Sequence, residues 1–337
     1  MKLYVVKRLA VTAFLALAAS LVIFLIAHLV PGNPVDAVLG DKAASNPAIV
    51  AAYRARWHLD DPIWVQYAVF LEGLTHGDLG VSIQSQRPVL TDIGQYAPAT
   101  IELATAAMLL AVLVGVPLGV IAAVRRDSWI DNLARLISLA GVSLPTFWLA
   151  FIVLALFYGG LQIAPGPGRL SVTDLPPPTV TGSFVVDAIL AGQFAKLGSI
   201  IAHMVLPSVV LSAVNMAVIT RTTRAAMLET LEQDYIRTAR AKGLRERSVI
   251  YGHAFRNALL PVVTLGGVAY AQLLTGAVMT ETVFSWPGLG RYAYQAAVSL
   301  DFPAITGVAL VVAVVYLLIN LIVDLSYTLL DPRAVRR

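Results

Sequence analysis

The 337-residue chain is 58% hydrophobic and only 13% charged, which argues against a water-soluble fold because soluble domains carry about 25% charged residues. Its formal net charge of +4 is modest, so the placement of the charges is more informative than their sum. The absence of cysteine excludes disulfide bonds, thiolate catalysis and cysteine-based metal sites.

Six long blocks contain no Asp, Glu, Lys or Arg and predict transmembrane helices, since a helix of about 20 residues crosses the hydrocarbon layer. The blocks are too long and too continuously apolar for the strands of a membrane β-barrel. They are residues 9–30, 103–124, 136–160, 197–220, 258–280 and 304–323. The first block is longer than the apolar core of a signal peptide, so we expect it to be a retained helix. The predicted fold class is an all-α membrane protein.

The distribution of Lys and Arg predicts the orientation of these helices. With the N-terminus placed inside, the inner segments hold 17 of the 24 Lys and Arg residues and the outer segments hold 7. Cytoplasmic segments of membrane proteins are enriched in these residues. We therefore expect both termini in the cytoplasm.

Three outer segments connect the predicted helices. Residues 31–96 carry turn signals and two stretches that could be short helices, 47–57 and 62–74, so we expect a small ordered cap. Residues 159–196 are rich in Pro and Gly and predict a loop. Residues 281–303 contain the run Trp-Pro-Gly-Leu-Gly, which cannot be helical throughout and predicts a compact turn.

The inner loop at residues 221–257 is the most informative segment, with eight basic residues and several helix-forming stretches. Gly243 separates residues 235–242 from residues 244–255, a pattern that predicts two short amphipathic helices meeting at an angle. Such helices could lie on anionic lipid or dock into a groove of a cytoplasmic protein. The mixed charge, including Asp234 and Glu246, favours the protein partner somewhat.

Short motifs spread over nearly the whole chain carry a family resemblance. The inner loop reads Tyr-Ile-Arg-Thr-Ala-Arg-Ala-Lys-Gly at residues 235–243, followed by His-Ala-Phe-Arg-Asn. Gly-Asp-Leu-Gly and Pro-Ala-Thr-Ile-Glu-Leu precede it, and Glu-Thr-Val-Phe-Ser-Trp-Pro-Gly-Leu-Gly and Asp-Phe-Pro follow it. Together, in this order, the motifs resemble the B-type subunit of the dipeptide/oligopeptide permease family of binding-protein-dependent ABC importers. One departure is Arg237-Thr238-Ala239, where the general importer loop opens with Glu-Ala-Ala.

The resemblance implies the type I ABC importer permease fold, with six transmembrane helices and a partly helical extracytoplasmic segment after the first helix. The implied divisions are an N-terminal helix at 1–30, the extracytoplasmic segment at 31–96, a permease core at 97–330 with a coupling loop at 221–257, and a tail at 331–337. It places the protein in a bacterial inner membrane. It implies that the loop docks onto an ATPase through Tyr235, Arg237, Thr238, Ala239, Arg240, Lys242, Gly243 and Leu244.

The implied function is that of a permease subunit for di- and oligopeptides. Its partners would be a second homologous permease subunit, one or two ABC ATPase subunits and an extracytoplasmic peptide-binding protein, besides membrane lipid. Nickel and glutathione importers share the same scaffold and remain alternatives. A secondary carrier coupled to ions is less favoured, because the predicted helices lack acidic residues in their middle.

The chain lacks the Gly-x-x-x-x-Gly-Lys-Ser/Thr pattern that cradles nucleotide phosphates. We therefore expect it to be non-catalytic, without a metal, a cofactor or a nucleic-acid partner, and with ATP bound by its partner subunits. Polar residues in or next to the predicted helices, namely Glu102, Asn215 and Gln272, either line the pathway or form interhelical hydrogen bonds, and the second interpretation is favoured. Asp324 is expected to fix the inner end of the last helix.

Overall fold

The computed structural model describes residues 2–29, 47, 50–51 and 60–330, and these residues contain no β-strand. The helices are α1 (Lys2–Leu29), α2 (Ile63–Thr75), α3 (Val89–Val124), α4 (Trp129–Ser143), α5 (Thr146–Leu154), α6 (Phe184–Leu190), α7 (Phe194–Leu231), α8 (Asp234–Ala241), α9 (Phe255–Gly276), α10 (Val278–Val283), α11 (Leu289–Val298) and α12 (Phe302–Leu330). A π-helical turn at Ala155–Gly160 continues α5, and a second one at Ser248–Ala254 precedes α9.

Six membrane crossings were predicted, and the structure confirms that number when one bent pair counts as a single crossing. Five segments are long and apolar enough by themselves: Val5–Ile26, Val89–Val124, Phe194–Leu231, Ser248–Gly276 and Phe302–Leu325. The sixth consists of α4 together with α5 and its π turn, which pass the same test as a pair but are bent by 104°.

The expectation of one continuous helix over residues 136–160 is therefore wrong. Helix α4 ends at Ser143, and Leu144 adopts an extended conformation with φ −90° and ψ 128°. Leu144 precedes Pro145, and the proline ring disfavours helical geometry in the residue before it. The apolar composition continues through this proline, whereas the helix is interrupted there.

Two helix ends also differ from the prediction. Helix α3 already begins at Val89, so the boundary expected between residues 96 and 97 falls inside a helix. Helix α7 continues through the first third of the expected inner loop and ends at Leu231. The predicted short helix at 62–74 is confirmed as α2, whereas most of the stretch at 47–57 and the whole tail at 331–337 lie outside the described residues.

Helices α3 and α7 form the centre of the bundle, and glycine allows them to approach closely. A Cβ atom on Gly119 of α3 would lie 2.7 Å from the carbonyl oxygen of Thr220 in α7. A Cβ on Gly141 of α4 would lie 2.9 Å from the carbonyl oxygen of Ala213 in α7. Small residues serve membrane helices in this way because backbones in contact gain van der Waals packing.

The bundle has two chemically different ends. We call the end that carries α8 and the α3–α4 turn the basic end, and the end that carries residues 60–88, 161–193 and 284–301 the cap. Near the basic end, Arg8 of α1 donates to Asp324 of α12 at 2.6 Å. This ion pair joins the first helix to the last, and a role for Asp324 in fixing the inner end of α12 stays a prediction.

Candidate functional site

Helix α8 lies on the basic end as a small amphipathic element. Ile236 and Ala239 are buried against Met227 of α7 and against Val120 and Ala123 of α3. Of the eight loop residues predicted from the sequence, seven are exposed and only Ala239 faces the bundle. The helix therefore rests on an apolar base and presents its basic and polar side chains outwards.

Gly243 ends α8 in a left-handed conformation with φ +75°. Its N–H donates to the Arg240 carbonyl at 2.9 Å, and the Leu244 N–H donates to the Ala239 carbonyl at 3.4 Å. These two bonds form a Schellman motif, which satisfies carbonyl groups at a helix C-terminus and turns the chain away. The predicted helix break at Gly243 is confirmed.

Polar contacts connect α8 to the residues that follow the break at Gly243. The Arg240 guanidinium donates to both oxygens of Glu246, at 2.8 and 3.3 Å. The same guanidinium lowers the pKa of the Glu246 carboxyl below its ordinary value. Asn257 donates to the Tyr235 hydroxyl at 2.9 Å and so ties α8 to the start of α9.

The second short helix expected at residues 244–255 is not a separate element. The chain turns at Arg245, and the π-helical turn Ser248–Ala254 then runs directly into α9. Val249 and Ile250 are buried in the same apolar cluster as Ile236. The segment thus contains one short helix, α8, and a π-helical turn that forms the first part of a membrane crossing, where two independent short helices were expected.

Glu102, the first of the predicted polar candidates, is buried at the cap. It pairs with Arg169 from the loop between α5 and α6, and it accepts from the Ser183 hydroxyl at 2.9 Å and the Val185 N–H at 2.7 Å. The Arg169 guanidinium carbon lies 3.7 Å from the centre of the Phe184 ring. Glu102 therefore anchors the loop between α5 and α6, including the first turn of α6, to α3.

The other two polar candidates do not join Glu102 in a common site. Asn215 is buried in α7, whereas Gln272 is exposed on α9. The hydrogen bonds of Glu102 reach neither of them. A role for Asn215 or Gln272 in the pathway stays a prediction.

A second buried carboxylate at the cap was not singled out from the sequence. Glu281 is fully buried and accepts from the Thr100 hydroxyl at 2.6 Å and the Arg291 N–H at 2.9 Å. Burial raises the pKa of the Glu281 carboxyl, and these hydrogen bonds oppose the rise. Trp286 donates to the Ala99 carbonyl at 2.8 Å, so motifs at 98–103 and 281–290 form one unit.

Two further carboxylates join distant parts of the chain at the cap. Asp301 accepts from the Ser82 hydroxyl at 2.6 Å, and Asp92 accepts from the Tyr292 hydroxyl at 3.1 Å. Each bond joins the first third of the chain to its last sixth. Among the residues that the structure describes, no group of three His, Asp or Glu is arranged to hold a metal ion.

Comparison with known proteins gives similarity over nearly the whole chain. Residues 1–104 match the family described as binding-protein-dependent transport system membrane component, N-terminal, and residues 115–336 match the binding-protein-dependent transport system inner membrane component. The chain is 47% identical to the probable D,D-dipeptide transport system permease protein DdpB of Escherichia coli, over 92% of this chain and 91% of that protein. It is 44% identical to the dipeptide transport system permease protein DppB of Alkalihalophilus pseudofirmus and 41% identical to that of Escherichia coli, over 98% of both chains in each case.

Proposed function

The chain belongs to the family of binding-protein-dependent transport system inner membrane components, and from this membership we propose that it is the permease subunit of an ATP-driven importer of dipeptides and short oligopeptides. The observation that carries the substrate class is the similarity to dipeptide permeases, at 41–47% identity over 92–98% of the chain. A second, homologous permease subunit would supply the other half of the pathway.

In this proposal, α8 and the Gly243 turn receive force from an ABC ATPase subunit. A force-receiving element must be exposed on one side and firmly seated on the other. The exposed basic face of α8, its buried base at Ile236 and Ala239, and the Arg240–Glu246 pair support this assignment. The contact residues would be Tyr235, Arg237, Thr238, Arg240, Lys242, Gly243 and Leu244, whereas Ala239, the eighth residue predicted from the sequence, would seat the helix on the bundle.

We further propose that the basic end faces the cytoplasm and that the cap faces an extracytoplasmic peptide-binding protein. The excess of Lys and Arg at the basic end supports this orientation. An even number of crossings puts both termini on the same side, which is then the cytoplasm. The chain itself would catalyse no reaction, because it lacks the phosphate-binding pattern and ATP would be hydrolysed by its partners.

The test is uptake by the assembled complex in liposomes. We expect a labelled dipeptide to accumulate only when ATP and the binding protein are both present, and unlabelled di- to pentapeptides to compete with it. Nickel ions and glutathione serve as the alternative substrates. ATP-dependent uptake of either one, without uptake of peptide, would overturn the proposed substrate class.

A further inference from the structure

The turn between α3 and α4 holds a buried ion cluster at the basic end. Asp131, in the first turn of α4, is fully buried. Its two oxygens accept from Arg224 of α7 at 2.6 and 2.8 Å, and both also accept from Arg135 of α4, at 2.6 and 3.3 Å. A buried carboxylate is costly unless it is paired, and a two-pronged guanidinium contact also fixes the relative orientation of the two side chains.

Arg224 lies on the part of α7 that also carries α8. Met227, one turn further along α7, is fully buried in the cluster that holds Ile236 and Ala239. The segment of α7 that binds Asp131 is therefore the segment on which α8 is seated. Helix α8 and this end of α7 therefore share one apolar contact surface.

The same carboxylate belongs to the bent α4–α5 crossing, which extends to the cap. Beyond the bend, Ala150 and Val153 of α5 pack with Leu206 and Val210 of α7 and with Phe284 in the cap. The crossing thus has Asp131 at one end and a cap contact at the other. The 104° bend lies between them.

We propose that Asp131 is a positioning residue that makes the α4–α5 crossing move together with α7 and α8, so that a displacement of α8 is transmitted to the cap. The inference rests on the proposed function, because it takes α8 to be the element that the ATPase displaces. Contiguous contacts alone do not establish such coupling, so the test has to measure coupling directly.

The first test compares two bonds to the same carboxylate in the assembled complex. Arg224→Gln removes the two bonds that join α7 to α4, whereas its matched control Arg135→Gln removes the two bonds to Asp131 within α4. We expect Asp131→Asn and Arg224→Gln to raise the ATP hydrolysed per dipeptide imported about fivefold or more, with the double variant no worse than either single variant. The control should leave this ratio unchanged. An equal effect of Arg135→Gln, or additive effects in the double variant, would show that Asp131 only anchors α4 locally.

The second test needs no substrate and uses the absence of native cysteine. Spin labels are attached at Leu136→Cys on α4 and Glu229→Cys on α7, both exposed positions. We expect the distance between the labels to stay constant when ATP is added to the parent complex, and to shift or broaden when Asp131→Asn is present. Identical behaviour of parent and variant overturns the proposal. A parent complex that hydrolyses ATP without importing peptide would refute the proposed substrate while leaving this distance test intact.

Discussion

Thr100 of α3 donates its hydroxyl to Glu281 of α10 at 2.6 Å, across 181 positions of the chain. The same hydroxyl accepts from the Leu289 N–H at 2.8 Å. One buried oxygen therefore satisfies a carboxylate on one side and the first turn of α11 on the other. Both partners are buried, so water cannot replace these bonds.

Replacing Thr100 with Val keeps the shape of the side chain but removes both bonds. A buried donor or acceptor left without a partner costs about 1–3 kcal/mol, so the variant should unfold at a lower temperature in detergent. The matched control is Thr105→Val on the same helix, whose exposed hydroxyl is shared with Tyr270. Equal melting temperatures for the two variants would contradict the role assigned to Thr100.

Gly243 should tolerate no ordinary side chain, for a reason of backbone conformation. A Cβ at this position meets nothing within 4 Å, but the φ of +75° is strained for L-residues, at a cost of roughly 1–2 kcal/mol. We expect Gly243→Ala to distort the end of α8 and to lower peptide uptake more than ATP hydrolysis. Gly243→Asn should be milder, because asparagine adopts left-handed conformations more readily.

The control for Gly243 is Gly198, in the first turns of α7. A Cβ there also meets nothing within 4 Å, and its φ is not positive. Because alanine favours helix over glycine by about 1 kcal/mol, Gly198→Ala should leave uptake and coupling unchanged. Normal coupling in Gly243→Ala would refute the importance of the turn.

The membrane crossings were predictable because a lipid bilayer requires long apolar helices, and long blocks without charged residues are visible directly in the sequence. The break at Leu144 was missed although Pro145 signals it, since the apolar block continues on both sides and its length suggested one helix. The extension of α7 to Leu231 was missed because the apolar block ends before the helix does. The basic residues beyond the block indicate an aqueous location but do not show where the helix ends.

In the candidate site, too, local features were predictable from the sequence and contacts between distant residues were not. The turn at Gly243 follows from local preferences, so the sequence predicted it correctly. The pairing of Asp131 with Arg224 joins residues 93 positions apart, and that of Glu281 with Thr100 joins residues 181 apart, so only the folded bundle reveals these partners. For Asp131 the sequence did contain one signal, because Arg135 follows four residues later on the same helix face.

The buried pair of Glu102 and Arg169 should stabilise the loop between α5 and α6. Arg169→Gln leaves a buried carboxylate without its opposite charge, which costs about 3–5 kcal/mol. We expect earlier thermal unfolding and faster proteolysis within residues 161–183. The double variant Glu102→Gln, Arg169→Gln should lose less stability than the sum of the single variants, whereas additive losses would contradict a direct pair.

Acidic pH should loosen α8 through Glu246. Arg240 lowers the pKa of this carboxyl from its ordinary value near 4.5. The bond therefore contributes fully above about pH 4.5 and is lost as the pH falls through the lower folded pKa. The protection factors of the α8 amides, which compare the observed exchange with the intrinsic rate at each pH, should fall as the pH is lowered through this range in the parent protein. Glu246→Gln should remove that pH dependence, and an unchanged profile in the variant would exclude the bond as its cause.

The orientation can be tested on single cysteines because the native chain has none. Thr238→Cys places a thiol on the exposed face of α8, and Val172→Cys places one on a fully exposed position of the loop between α5 and α6. In intact cells, after release of the outer membrane where there is one, a membrane-impermeant maleimide should label residue 172 and leave residue 238 unlabelled. Inside-out vesicles stripped of the ATPase subunits, which would otherwise cover residue 238, should give the reverse pattern, because the two positions lie at opposite ends of the bundle. Labelling of residue 238 from outside would place the basic end away from ATP, and α8 could then receive no force from a cytoplasmic ATPase.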